Sequence, residues 1–169
     1  MKKLVLILTV AFVGVAAWSQ SPSSDVDLTK KQLAKVTGFC VVVSVQPDSL
    51  ASLLPVSSIQ TDVELKMRIA HMPILTADQY VTDTGSGAGL VTITVGGVRS
   101  STSPIWAISL NAACTQSAQL LRDPRVGTLG LTWFDSIVII TGETNVAQFR
   151  EYIKDSVDKF INLYLSANP

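Results

Sequence analysis

The chain has one histidine, two cysteines and few charges, and each scarcity narrows what it can do. A Ser-His-Asp site has to use His71, and no Gly-x-Ser-x-Gly elbow accompanies it. Two cysteines and one histidine are too few for a zinc cluster, and no calcium loop or Walker motif is present. Charged residues make up 15 % of the chain, well below the ~25 % of an average soluble domain. Thirteen basic residues balance thirteen acidic ones. The chain therefore lacks the clustered positive charge that nucleic acid requires. It also lacks the like-charge blocks of a disordered tail. No cofactor is expected. The 169 residues suit one domain, with enough chain to bury a real core.

What is present begins with a leader. Lys2 and Lys3 precede an uncharged run over residues 4–17, shorter than the ~20 residues a spanning helix needs. Charge, apolar core and small residues follow in the order of a secretory signal, with cleavage expected after Ala17 or Ser19. The alternative is an uncleaved anchor. The expected layout is a signal peptide at 1–19, a flexible or helical tether at 20–36 and one domain at 37–169. Loss of Lys2 and Lys3 leaves eleven basic residues against thirteen acidic ones, a net charge of −2. The expected location is periplasmic or secreted, with no membrane-spanning segment after cleavage.

Export places Cys40 and Cys114 in an oxidising compartment. A bridge between them would close a loop of about 75 residues, worth roughly 4 kcal/mol in the chain-entropy picture. The other reading is two buried thiols acting as small apolar side chains. Both remain open at this level.

Residues 39–45, Phe-Cys-Val-Val-Val-Ser-Val, read as a strand covered on both faces. Thr61 and Glu64 have the spacing of a capping box. Ile59, Val63, Met67 and Ala70 then fall at helical intervals until Pro73. Ile74 and Leu75 suit a short strand, and the glycines at 85, 87 and 89 a loop. Val91, Ile93 and Val95 alternate with Thr92 and Thr94, the period of a half-buried strand. A long strand over 105–121, bent near Ala112 and Ala113, is expected next, with a helical second half as alternative. Two strand-like runs follow, at 127–134 and 137–141. Asn145 can cap a final helix whose stripe is Val146, Phe149, Ile153, Val157, Phe160, Ile161 and Tyr164. Strands grouped apart from helices imply an α+β fold: a mostly antiparallel sheet of four to five strands, two helices on one face, and a long C-terminal helix.

Asp83-Thr-Gly-Ser86 resembles the active-site tetrapeptide of aspartic proteases. That chemistry needs two carboxylates sharing a proton, hence a dimer, since the chain carries one copy. Trp106 and Trp133 are the candidate aromatic binding surface, with a plain core role as the competing reading.

Several segments together resemble a group of small exported bacterial proteins of unknown function. They are Glu64-Leu-Lys-Met-Arg68, Pro73-Ile-Leu-Thr76, Leu90-Val-Thr-Ile-Thr-Val95, Gln119-Leu-Leu-Arg-Asp-Pro124, Thr132-Trp133 and the closing stretch 155–168. The chain departs from that group at Ala70-His71-Met72, where the group tends to have Ala-Gly-Ile. The element order is also loosely similar to the TolB amino-terminal domain. The resemblance implies fold and export but no activity. The expectation is a non-enzymatic envelope interaction or accessory domain whose partner is another envelope protein or a second copy. The alternatives are a small-molecule or lipid carrier with a cavity between sheet and final helix and, more remotely, a dimeric aspartic protease using Asp83.

Overall fold

A computed structural model describes residues 22–34, 36–83, 87–120 and 122–169. The leader, its cleavage site and residues 84–86 lie outside the described residues. The fold is α+β. Helix α1 (Pro22–Leu33) precedes β1 (Phe39–Gln46), followed by α2 (Asp48–Ala51), α3 (Val56–Ile69) and α4 (Ala77–Asp83). Strands β2 (Gly89–Arg99), β3 (Ile105–Leu120) and β4 (Asp123–Gly142) come next. A 3-10 turn (Glu143–Gln148) then leads into α5 (Phe149–Ala167).

The sheet runs β1-β2-β3-β4. Its last three strands form an antiparallel meander, while β1 pairs parallel to β2. A parallel pair needs a long crossover, and residues 47–88, carrying α2, α3 and α4, supply it. The sheet is thus mixed, four-stranded and mostly antiparallel. Five α-helices accompany it among the described residues, rather than two.

Alternation along the strands separates two faces. Phe39, Val41, Val43 and Val45 of β1 join Val91, Ile93 and Val95 of β2, and Trp106, Ile108, Leu110, Ala112 and Cys114 of β3, in one buried cluster. Ile59, Val63 and Met67 of α3 pack into that cluster, as does the whole expected stripe of the final helix. Phe39 meets Phe160 and Tyr164 edge-on, with centroids 5.4 and 5.2 Å apart, and Trp133 lies 5.0 Å from Phe160. Strands β3 and β4 outrun their neighbours: Ser117–Leu120 and the first residues of β4 pair only with each other.

Several local expectations change. The capping box does not form, because α3 begins at Val56, one residue after Pro55. Thr61 therefore sits inside the helix and donates to the Ser57 carbonyl, while Glu64 accepts from Gln60 and Arg68. Of the flexible or helical tether expected at 20–36, the described part takes the helical form and packs on the domain. The segment from Pro22 to Leu33 is helical, Leu33 and Val36 lie in the core, and Asn168 donates to the Leu33 carbonyl. Strand β3 keeps its extended form throughout, and its pairing with β4 is irregular between Cys114 and Thr115 and again between Gln119 and Leu120. The two runs at 127–141 form one strand that passes through Asp135, which Lys159 of α5 holds.

The end of α3 is a Schellman motif. Met72 N–H donates to the Met67 carbonyl and His71 N–H to that of Arg68. His71 takes the left-handed conformation this closure requires, with φ 58°. Met67 and Met72 are both buried, supplying the apolar contact that accompanies the motif.

Candidate functional site

Cys40 and Cys114 are free, buried thiols. The register explains why they do not bridge. Cys40 lies opposite Leu90, and Leu90 opposite Thr115, so two strand spacings separate the cysteines. At ~4.8 Å per spacing that exceeds the ~7 Å Cα limit for a disulfide. Cys114 also belongs to the core face and touches the Gly89 position, while Cys40 alternates to the other side. Burial pushes the Cys114 thiol up to about 11 against the opposing Thr132 hydrogen bond. Burial, and then the Glu64 charge, also raise Cys40. Raised thiol pKa values disfavour the thiolate that nucleophilic or redox chemistry needs.

Trp106 and Trp133 face the core, not solvent. Trp106 is fully buried with no partner for Nε1, and Trp133 is half-buried against Phe160. They correct the expectation of an aromatic platform: both occupy the inward positions of their strands. His71 is an exposed helix cap. Asp83 is the last residue of α4 and does not sit in a loop between strands. Among the described residues no group of three or more His, Cys, Asp or Glu is placed to hold a metal.

Several concavities mark the described residues. The largest, about 400 Å³, lies along the free edge of β1 between α3 and residues 74–77. Leu75 donates to the Phe39 carbonyl, and Phe39 donates to that of Pro73, before the two segments diverge. Gln60 reaches the Val41 carbonyl at 3.5 Å. The one carboxylate there, Glu64, is occupied on both oxygens: Gln60 donates to Oε1 and Arg68 to Oε2, each at 3.0 Å. Such a group is a structural anchor, not a waiting base. Between α3 and α5 the space is only about 10 Å³, about one water sphere. The space between α5 and the sheet is occupied by the rings of Phe39, Trp133, Phe160 and Tyr164.

Another concavity is a shallow depression of about 370 Å³ on the outer face of the sheet, lined by Gly96, Gly97, Val98, Ala107, Ser109 and Val138. Two register rows cross it: Val98–Ala107–Ile140 and Gly96–Ser109–Val138. Farther along, the row Thr94–Asn111–Ser136 is polar, with Ser136 donating to Asn111. The apolar surface is therefore a corner of the sheet, continued down β4 by Phe134, Leu131 and Leu129. Sequence reasoning points to an exposed sheet edge or an open sheet face as the contact surface but names none of these residues. The signal for the corner is Ile137-Val-Ile-Ile140, where consecutive apolar residues place hydrophobic side chains on both faces of one strand.

No helix among the described residues is long and apolar enough to cross a membrane. A scan of protein-family models and a search of curated proteins return no match to this chain, so its relationships are argued from its own residues.

Proposed function

We propose that the chain is an exported, non-catalytic interaction domain of the bacterial envelope, and that the outer sheet corner is its contact surface. The observation that carries this reading is the row Val98–Ala107–Ile140: apolar, side by side, and turned away from the core. Contiguous exposed apolar surface on a small domain marks a place that another surface covers. Export rests on the charge, apolar run and small residues of positions 1–19. The chemistry-bearing groups are committed elsewhere. Both thiols are buried and raised, Glu64 is paired on both oxygens, and the tryptophans serve the core. A carrier needs a void under α5, where four aromatic rings now stand.

A photo-crosslinking amino acid tests the reading in cells expressing the full chain. Placed at Val98 it should give discrete adducts in the envelope fraction. Placed at the equally exposed Ile69 of α3 it should give none. Adducts at neither position, or equally at both, would refute the sheet corner as the contact surface.

A further inference from the structure

We infer that the outer corner of the sheet is a two-fold interface between copies of this chain; the inference rests on the interaction reading above and names its partner. A two-fold contact uses one patch twice, so the patch has to be complementary to itself. This corner has both halves of such a fit. Ile140 and Val138 stand out from β4, 78 and 69 % exposed. Beside them lies the depression, with Gly96 at its floor in place of a side chain. The prominence of one copy can enter the hollow of the other while the reverse contact forms across the axis.

The extent of the patch also matches a dimer. Val98, Val138 and Ile140 form the corner, and Phe134, Leu131 and Leu129 continue it along β4 beyond the polar Ser136 row; all six are exposed. At ~100 Å² each they offer ~600 Å² per copy, approaching the ~800 Å² per partner of a standard interface. Charge does not oppose self-contact. From Val126 to Gly142 the only ionised side chain is Asp135, which faces the core side and is bound by Lys159. A long edge strand normally carries lysine or proline that keeps copies apart. Here Pro124 and Arg125 stand at its start and nothing comparable follows.

The test is sedimentation analysis of the protein recovered from cells expressing the full chain, beside V138K, I140K and G96V. The expected result is a dimer that V138K and I140K each weaken at least 100-fold, with helix content unchanged because both positions face away from the core, and melting lowered only by the loss of the dimer's own stabilisation. G96V fills the hollow without adding charge. A Cβ at Gly96 meets only the Ser109 hydroxyl, at 3.1 Å, so this variant should fold and weaken the dimer about tenfold. A monomer at ~100 µM, or a dimer untouched by all three substitutions, overturns the inference. If the protein is monomeric while Val98 still crosslinks a different envelope protein, the interaction reading survives and self-association alone falls.

Discussion

At the scale of single residues, His71 holds a backbone conformation that glycine adopts at less cost. A non-glycine residue in the left-handed region carries a penalty of about 1 kcal/mol, and His71 is exposed, so its ring offers little in return. His71→Gly should therefore raise stability by about 0.5–1 kcal/mol in urea denaturation. A loss of stability would mean the imidazole makes a contact of its own. Cys114 gives a pH-dependent expectation. Its thiol is neutral in the fold to about pH 11 but ionises near 9 once unfolded, so the unfolded chain binds fewer protons in that window. Stability is then fully present below pH 9 and falls by about 2–3 kcal/mol as the pH rises to 11. Cys114→Ala should flatten that fall, whatever its cost at pH 7. A thiol reagent at pH 8 should leave both cysteines of the native protein unmodified and label both after denaturation.

At the scale of elements, the sequence is most readable where one period is sustained. Val91, Ile93 and Val95 alternate strictly, and all three are buried. Every residue of the final stripe from Val146 to Tyr164 is buried as well. Boundaries are harder to read because several residues fit both sides of a border. Thr61 and Glu64 have cap spacing, yet Pro55 opens the helix six residues earlier, and the buried face starts with Ile59. The two accounts separate in a single substitution. Thr61→Ala should be neutral or stabilising by a few tenths of a kcal/mol, because alanine suits a helix interior better. A lost cap would instead cost about 1 kcal/mol. The role of the tryptophans stays open in the sequence for a different reason. Composition cannot say which face of a strand meets a helix, and that depends on α5 lying over Phe39 and Trp133. Phe160, which touches both rings, is the keystone of that contact, and Phe160→Ala should cost about 3–5 kcal/mol. The cysteine pairing was likewise illegible, because register across three strands decides it.

At the scale of the whole molecule, the domain begins earlier than composition suggests. Residues 22–33 look polar and tether-like, but Leu33 is fully buried and Asn168, near the other end of the chain, bonds to its carbonyl. Leu33→Ala should cost about 2–5 kcal/mol, read as a lowered urea midpoint. A chain starting at residue 37 should lose more than that single substitution does, since Val36 leaves as well. If such a chain melted like the longer one, α1 would be an ornament and not a wall of the core.

The parallel pairing of β1 with β2 sets a timetable. Forty-two residues lie between Gln46 and Gly89, so a chain synthesised from its N-terminus completes β1 long before the strand that will cover its flank. At ~5–20 residues per second that delay lasts roughly two to eight seconds. During it, Val-Val-Val-Ser-Val is a valine-rich strand without a neighbour, able to zip onto any other extended chain nearby. The meander of β2, β3 and β4 can close from adjacent hairpins as soon as it emerges, whereas β1 has to be kept from premature company until then.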